Sequence, residues 1–323
     1  MAEDRPSVPS TAYGQEWIDF SNSAREYERF LQDGELRPRQ VRSLALADLR
    51  PGDLVLDMGC GRGEVSLYCA RRGSRVLAMD YSADCVSLAV QAKAQKEAGF
   101  TGGVVVTRGD SKSLPLKTDS VRRVLLLDVV EHLYPWELDL ALSEAYRVLR
   151  PGGYVVIHTL PNRWALDIGY RVARLVLPWL PVSPRSEWER TVHVNEQDVV
   201  GLYRALTKAG FEARVWLEDC ILDQARWQRG GNLFPGTDQR ARVYPLLVNP
   251  FLRAVYRLAA ATPLRLILAN DIYAVAFKGP LPPNARRGRW LESSLVRVVE
   301  RRDRRRESRC GGRSSVPRGS ALD

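Results

Sequence analysis

Short apolar runs alternate with longer amphipathic segments between residues 54 and 159, and this alternation constrains the fold more than any other feature. A short apolar run predicts a buried strand, and a segment with a helical period predicts a helix. Because the connections are short, each helix must cross the sheet, which makes successive strands parallel. We therefore predict an α/β fold, a Rossmann-like doubly wound sheet with helices on both faces. The predicted strands are 54–58, 75–79, 103–107, 121–127 and 153–159, and the predicted helices are 63–72, 83–98 and 136–149.

Further elements flank this alternation. Two helices are predicted within 14–50, one helix at 196–209, and two late strands at 211–219 and 272–279. We expect one domain over 14–280 between disordered ends, since the ends are polar and lack apolar periodicity. The predicted parts are a disordered segment 1–13, helices in 14–50, a core at 51–160, insertions at 161–192 and 220–270, and a disordered Arg-rich tail at 281–323.

The stretch LVLDMGCGRG joins the first predicted strand to the first predicted helix. The strand ends at Asp57, so Gly59, Cys60 and Gly61 form the turn that follows. We expect the main-chain N–H groups of this turn to face a crevice that a ligand approaches closely. Glu64 stands where a dinucleotide-binding loop carries its third glycine, which disfavours a diphosphate and hence a nicotinamide dehydrogenase.

Two carboxylates flank this turn. Asp57 would accept hydrogen bonds from an ammonium group, while a ligand carboxylate would lie at the helix N-terminus. Asp80 ends the second predicted strand, 23 residues after Asp57, where a carboxylate accepts both hydroxyls of a ribose, with Tyr81 beside it. This combination calls for a ligand with an amino acid head group and a nucleoside. S-adenosylmethionine has both, and we predict it as the cofactor.

Five motifs occur in an order and at a spacing that are specific as a set: LDMGCGRG, VLAMDYS, GDSKSLPL, LLLDVVEHL and RVLRPGGYVVIHTLPN. Over residues 50–160 the chain thereby resembles the class I S-adenosylmethionine-dependent methyltransferases, in particular the small-molecule group that includes ubiquinone-pathway O-methyltransferases. The resemblance implies a seven-stranded sheet whose last strand is antiparallel. The cofactor-binding residues that we carry over or infer are Asp57, Gly59, Cys60, Gly61, Gly63, Asp80, Tyr81, Asp110, Ser111 and Asp128. Among them, the resemblance places the three glycines around the methionine portion, Asp80 at the ribose, and Asp110 with Ser111 at the adenine.

Methyl transfer from a sulfonium is an in-line displacement, so the protein mainly aligns the acceptor and excludes water. A base is needed when the acceptor is a hydroxyl or a protonated amine. The stretch LLLDVVEHLYPWE places Glu131 and His132 where the fourth predicted strand ends. His132 is our first candidate for the base, because an unperturbed imidazole has a pKa of about 6.5. His158 and His193 are the reserves.

Three other interpretations of these residues stay open. Glu131 and His132 could only orient their loop and contact the cofactor, and His193 could steady a helix start that Asn195 caps. Asp128, Glu131 and His132 also resemble the metal-binding group of some ubiquinone-pathway enzymes. We expect no metal, since three ligands from one short turn are sterically demanding.

The segments 162–181 and 243–270 interleave bulky apolar residues with arginines and prolines. They predict either a lid over the core or interfacial helices that contact a lipid or a lipid-linked acceptor. We therefore expect a small-molecule or lipid-linked acceptor. The polar N-terminus and the lack of a long apolar run predict a cytoplasmic protein, with peripheral contact at the inner face of the membrane. The oligomeric state is not predictable.

The formal charge of +10 is concentrated in one segment. Residues 281–323 hold 12 arginines and five acidic residues, a balance of +7, which leaves +3 for the rest. The body therefore lacks the basic face of a nucleic-acid methyltransferase, and no Asn-Pro-Pro-Tyr type motif is present. We expect no nucleic-acid partner, although that enzyme class and a non-catalytic scaffold that binds the cofactor remain the alternatives. Five cysteines at no metal-ligand spacing favour reduced thiols.

Overall fold

A computed structural model describes residues 5–14, 23–96, 98–176, 178, 182–183, 185–219, 250–282 and 290–311. The described strands are β1 (Leu54–Met58), β2 (Arg75–Asp80), β3 (Gly103–Arg108), β4 (Val121–Leu127), β5 (Leu149–Thr159), β6 (Glu212–Glu218) and β7 (Asp271–Phe277). They form one seven-stranded sheet in the order β3-β2-β1-β4-β5-β7-β6. The last strand, β7, is antiparallel to both of its neighbours, and the other pairs are parallel. The predicted doubly wound sheet is confirmed.

The helices surround this sheet. They are α1 (Ser23–Asp33), α2 (Pro38–Ala47), α3 (Glu64–Arg71), α4 (Ala83–Lys96), α5 (Pro135–Val148), α6 (Tyr170–Val176), α7 (Glu187–Val192), α8 (Val199–Lys208), α9 (Pro250–Ala260), α10 (Arg265–Leu268) and α11 (Trp290–Gly311). One face of the sheet is covered by α1 to α4 and the other by α5 and α8. No helix among the residues that the structure describes is both long and apolar enough to cross a membrane.

The strand order places a candidate crevice between β1 and β4. The chain leaves β1 in one direction along the sheet and β4 in the other, so the loops beyond these two strands diverge. Ligands of doubly wound sheets bind at such a switch point, outside the carboxyl ends of the strands. The loops after β1, β2, β4 and β5 therefore carry the side chains that a bound ligand would meet.

Both chain ends that were predicted to be disordered contain structure in their described parts. Within 1–13, Val8 is buried and Ser10–Tyr13 form a 3-10 turn against the crevice loops. Within 281–323, α11 buries Glu292 and Val296 against α8 and β6. The prediction weighed the polar and arginine-rich composition and overlooked a few apolar side chains that anchor each segment. Residues 1–4, 283–289 and 312–323 lie outside the described residues.

Helix α8 begins three residues later than predicted. Asp198, rather than Asn195, is its N-cap, and the Asp198 carboxylate accepts hydrogen bonds from the N–H groups of Val200 at 2.9 Å and Gly201 at 2.8 Å. The main-chain N–H of Asn195 instead donates to the carbonyl oxygen of Glu131 at 3.1 Å. Residues 193–198 therefore extend along the crevice. Much of the second insertion, 220–249, lies outside the described residues.

Candidate active site

Three glycines in left-handed conformations shape the turn between β1 and α3, which we call the glycine loop (residues 58–63). Gly59, Gly61 and Gly63 have φ angles of +79°, +54° and +86°. A Cβ on Gly59 would lie 2.4 Å from a Val129 methyl carbon, and one on Gly63 would lie 3.2 Å from the Cβ of Ala89. A Cβ on Gly61 would meet no atom within 4 Å. Gly61 alone of the three therefore borders open space.

The main-chain N–H groups of the glycine loop donate hydrogen bonds to acceptors within the protein. The N–H groups of Gly59 and Cys60 both donate to the carbonyl oxygen of Met79, at 2.8 and 3.0 Å. The N–H of Gly61 donates to Oδ2 of Asp80 at 2.8 Å. The expectation that these groups face a ligand is therefore wrong. The acceptors are the main-chain carbonyl of Met79 and the carboxylate of Asp80, at the end of β2. The glycine loop supplies the N–H groups that these buried acceptors require.

Asp80 holds the two loops of the crevice together. Its Oδ2 accepts from Gly61 and its Oδ1 accepts from the N–H of Ser82 at 2.8 Å. Burial raises the pKa of the carboxyl, and the hydrogen bonds from Ser82 and Gly61 oppose that rise. The main-chain N–H of Tyr81 is a third donor to this carboxylate, which has about four acceptor positions, so Asp80 retains capacity for a ligand hydroxyl.

Asp57 and Cys60 are turned into the core. Asp57 is 2% exposed and accepts a hydrogen bond from the hydroxyl of Ser66 at 2.5 Å. Burial raises the pKa of the Asp57 carboxyl to about 7. The Cys60 side chain is also buried, and its thiol contacts only the carbonyl of Gly61 among its described hydrogen-bonding neighbours. Direct contact of Asp57 with a ligand ammonium, as predicted, is contradicted by this arrangement.

The residues predicted for the adenine lie after β3. Oδ1 of Asp110 accepts from the main-chain N–H of Lys112 at 2.9 Å, and its Oδ2 lies 3.1 Å from Lys112 Nζ. The same ammonium group is 5.6 Å from the ring centroid of Tyr81, which is 39% exposed. Ser111 is half-buried beside them. Tyr81, Asp110 and Ser111 therefore line one accessible patch near the end of β2.

Asp128 and His158 form a buried ion pair. Asp128 has a φ of +58°, and it contacts Nδ1 of His158 and Nε of Arg39, the latter at 2.9 Å. Nε2 of His158 lies 3.0 Å from Oδ1 of Asp271. Burial alone would lower the pKa of His158, but Asp128 and Asp271 raise it to about 9. With both ring nitrogens donating to carboxylates, His158 has no free nitrogen and is wrong as a reserve base.

Glu131 is held by β5 and carries a proton at neutral pH. Its side chain is 2% exposed and accepts from the hydroxyl of Thr159 at 2.7 Å. Burial, reinforced by the charge of Asp128, raises the pKa of Glu131 to about 8. The carboxyl group is therefore mostly neutral at pH 7.

Four aromatic side chains meet in what we call the imidazole cluster: Tyr13, His132, Trp188 and His193. The rings of His132 and His193 meet edge to face with centroids 4.8 Å apart, and Tyr13 meets His132 at 5.4 Å. Trp188 lies 6.1 to 6.3 Å from the other three. The Nδ1 atoms of His132 and His193 are both buried without a hydrogen-bond partner. The structure thus brings together two of the three predicted histidines.

Both clustered imidazoles are neutral at pH 7. Burial, helped by His193, lowers the pKa of His132 to about 3, and burial also lowers the pKa of His193. A neutral imidazole has one ring nitrogen that accepts a hydrogen bond. The cluster can therefore receive a proton or a hydrogen bond from a ligand.

Sequence reasoning missed Tyr13 and Trp188. Tyr13 lay in a segment predicted to be disordered, and Trp188 lay in the insertion 161–192, which was predicted to serve the acceptor side, but outside its segment 162–181 that was singled out. An aromatic residue followed by glycine, Tyr13-Gly14, inside an otherwise polar end is the signal that could have found the first. For Trp188, we see no comparable signal.

A ligand set of the metal-binding type also occurs here. One ligand atom each of Glu131, His132 and His193 lie within 4.8 Å of one another. Asp128, the third member of the predicted group, is held by Arg39 and His158 instead. The carboxyl of Glu131 would have to lose its proton before it could bind a cation.

Comparisons with known proteins identify the family. The family model described as a methyltransferase domain matches residues 56–157. A malonyl-(acyl-carrier protein) O-methyltransferase of Pectobacterium atrosepticum is 35% identical over 259 residues, which cover 74% of this chain and 94% of that protein. A ubiquinone biosynthesis O-methyltransferase of Nitrobacter winogradskyi is 30% identical over 193 residues, 56% of this chain and 69% of the relative.

Solved structures agree on the fold. The phosphoethanolamine N-methyltransferase 2 of Haemonchus contortus matches 84% of this chain and 61% of its own, with a TM-score of 0.56 and 18% identity. The cyclase SpnF matches 86% of this chain and 99% of its own, with a TM-score of 0.52 and 19% identity. At such identities, the likeness concerns the fold alone.

The site fits the cofactor of that family. The space beside Gly61 admits a ligand next to the main chain, and Asp80 retains acceptor capacity for a ribose at the same place. With the relatives that cover most of their own length, these features show that the chain belongs to the class I S-adenosylmethionine-dependent methyltransferases.

Proposed function

We propose that this methyltransferase acts on an oxygen atom of a small amphipathic or lipid-linked acceptor and that His132 takes the proton of an acceptor hydroxyl. The imidazole cluster carries this proposal, because it places two unpartnered ring nitrogens beside the loops of the cofactor crevice. Val129 joins the two regions: it packs on Gly59, and its carbonyl accepts from the N–H of His132.

The cofactor, when bound, supplies a methyl group that its positive sulfur already activates. On the cofactor side, we propose that Asp80 accepts the ribose hydroxyls, that Gly61 lies against the methionine portion, and that Asp110 with Ser111 contacts the adenine. Because Asp57 and Cys60 face the core, their role is to fix the glycine loop. Asp128 acts in the same way, since it holds the loop that presents His132.

On the acceptor side, the neutral state of His132 is the useful one. Its low pKa keeps the ring unprotonated across the physiological range, so Nδ1 can accept a hydrogen bond from an acceptor hydroxyl. Because a low pKa also makes the imidazole a weak base, the proton is transferred as the new bond to the methyl group makes the acceptor oxygen strongly acidic. The Glu131 carboxyl is held by the hydroxyl of Thr159, and burial raises its pKa. Tyr13 and Trp188 present apolar surface around the same point and exclude water.

Variants of His132 test this assignment. We expect His132→Phe, which keeps an aromatic ring but has no nitrogen, to lower kcat by about 100-fold. The dissociation constant for S-adenosylhomocysteine, measured by calorimetry, should stay unchanged. Thr191→Ala, an exposed position on α7, is the matched control. Full turnover of His132→Phe on a hydroxyl acceptor would refute the role of His132.

The relatives are named for two kinds of acceptor, and the variant His132→Phe can distinguish between them. Quinone precursors present a hydroxyl, which must lose a proton, whereas a malonyl thioester presents a carboxylate, which has none to lose. The protein should be incubated with methyl-labelled cofactor and a cell extract split into lipid and aqueous phases. We expect the label in a lipid-phase hydroxyl compound and its loss in His132→Phe. Label in a carboxyl ester, undiminished by the variant, would contradict the proposal.

The described insertions support contact with a membrane surface. In α6 and the turn before it, Ile168, Val172 and Leu175 are exposed with the spacing i, i+4 and i+7. In α9, Val255 and Leu258 are exposed with the spacing i and i+3. These two helices contain arginines and no acidic residue, which suits an anionic lipid surface. We propose that the enzyme lies at the inner face of the membrane when it meets its acceptor.

Vesicle flotation tests that contact. The protein should float with vesicles of phosphatidylglycerol at low salt and less with vesicles of phosphatidylcholine. Leu175→Glu combined with Leu258→Glu should abolish flotation, and Val105→Glu, at an exposed site on β3, is the matched control. Absence of flotation with either lipid would favour a simple lid over the core.

A further inference from the structure

Residues 5–14 form a segment, here called the strap, that is tied to helices α5 and α7 and to the loop before α4. The indole N–H of Trp136, in α5, donates to the carbonyl of Pro6 at 3.1 Å. The indole N–H of Trp188, in α7, donates to the carbonyl of Ala12 at 3.3 Å. The hydroxyl of Ser82, before α4, donates to the carbonyl of Tyr13 at 3.1 Å.

The side chains of the strap strengthen this attachment. Val8 is buried, and Gly14 fits so tightly that a Cβ there would lie 3.1 Å from Oδ2 of Asp84. Arg5 lies 5.8 Å above the ring of Trp136. The strap is therefore a packed element of the fold, although it carries no long helix or strand.

Tyr13 joins the two halves of the crevice. Its carbonyl is bonded to Ser82, whose N–H is bonded to Asp80, the carboxylate proposed for the ribose. Its ring contacts His132 and Trp188 on the other side. Burial and the nearby carboxyls of Glu131 and Asp80 raise the pKa of the Tyr13 hydroxyl well above its usual value. Tyr13 is thus a neutral phenol throughout the working pH range and cannot serve as a base.

We infer that the strap closes over bound cofactor and that the ring of Tyr13 completes the acceptor pocket by packing against His132. Tyr13 is a positioning residue, because it acts by fixing the imidazole and excluding water rather than by accepting a proton. The role of Tyr13 in the acceptor pocket rests on the proposed function. Closure of the strap over the cofactor requires only that the chain is a class I methyltransferase that binds S-adenosylmethionine. The strap must open for cofactor exchange, and a segment without a long helix or strand can open locally.

Cofactor dissociation tests closure without any acceptor. We expect Tyr13→Ala to speed the dissociation of S-adenosylhomocysteine by about 10-fold, because it removes the ring that holds the strap down. Tyr13→Phe keeps the ring and should stay within about 3-fold of the parent, and Thr11→Ala, at an exposed strap position, is the matched control. Equal rates in all four proteins, or equal losses in Tyr13→Phe and Tyr13→Ala, would overturn the inference.

Hydrogen exchange gives a second readout that a folding defect does not mimic. We expect the amides of residues 5–14 in the full-length parent protein to exchange more slowly when S-adenosylhomocysteine is bound. Unchanged exchange in the strap despite calorimetric binding would overturn closure. With a labelled acceptor, Tyr13→Ala should raise KM and lower kcat while Tyr13→Phe keeps both. If the parent protein methylated no hydroxyl acceptor but its strap amides still exchanged more slowly with bound S-adenosylhomocysteine, the result would contradict the proposed function and leave strap closure standing.

Discussion

On the glycine-loop side of the crevice, the main contacts come from one continuous stretch, residues 57–82, whereas the imidazole cluster is assembled from three distant segments around residues 13, 132 and 188–193. The first side is held by main-chain hydrogen bonds at 2.8 to 3.0 Å. The second depends on ring packing and on the strap. A local scaffold that is fixed by its backbone keeps one ligand, while an assembled pocket can change its specificity through loop sequence.

The two sides also differ in how they treat charge. Beneath the cluster, the Asp128–His158–Asp271 group is charged and fully paired, with Arg39 adding a second cation. His132 and His193 are neutral and unpartnered at Nδ1. Asp128 and Asp271 hold the His158 ring from both sides, whereas an unsatisfied buried nitrogen is costly unless a ligand meets it. The contrast separates the residues proposed to support the loop from His132, the residue proposed as the base.

The largest effect should come from Asp80, which holds the glycine loop and is the residue proposed to bind the ribose of the cofactor. Asp80→Ala should weaken S-adenosylhomocysteine binding by about 100-fold, since charged hydrogen bonds to hydroxyls and to the Gly61 N–H are lost together. Calorimetry measures this, with Asp33→Ala at the exposed end of α1 as the control. Unchanged affinity in Asp80→Ala would remove the basis for calling this the cofactor side.

Two glycine variants sharpen the distinction between scaffold and ligand contact. Gly59→Ala should lower the free energy of unfolding by about 2–4 kcal/mol, because it combines a left-handed residue with a clash against Val129. Gly61→Ala meets no atom and should cost only about 1–2 kcal/mol. For each kcal/mol of unfolding free energy lost, Gly61→Ala should weaken cofactor binding more than Gly59→Ala does. Urea unfolding and calorimetry on both variants give the comparison, and the reverse order would contradict the geometry.

The pH dependence of stability tests the charged support under the cluster. The folded-state pKa of His158, about 9, lies above its unfolded value of about 6.5. The folded state therefore binds the extra proton, and this stabilisation is complete below pH 6.5 and is lost as pH rises through 9. His158→Gln should show a flatter fall in unfolding free energy between about pH 7 and 9 than the parent. Parallel curves would mean that His158 is not charged in the folded state.

The smallest expected effect concerns the cap of α8, on the acceptor side. Asp198→Ala should lower the unfolding free energy by about 1 kcal/mol, because two N–H groups lose their acceptor. Asn195→Ala, at the position predicted to be the cap, should have no measurable effect, since the described Asn195 side chain makes no hydrogen bond to that helix. Chemical denaturation distinguishes the two positions, and a larger loss in Asn195→Ala would restore the original prediction.

The amino-acid sequence determined the sheet, the β1 turn, and the positions of Asp80 and His132 along the chain. These features follow from local periodicity and from glycine spacing, which depend on neighbouring residues only. The tertiary structure decided which histidine is buried between carboxylates, that Asp57 and Cys60 face the core, and that Tyr13 and Trp188 reach His132. Such contacts join residues far apart in the chain, and whether a side chain is charged there depends on burial and on partners that no local pattern encodes.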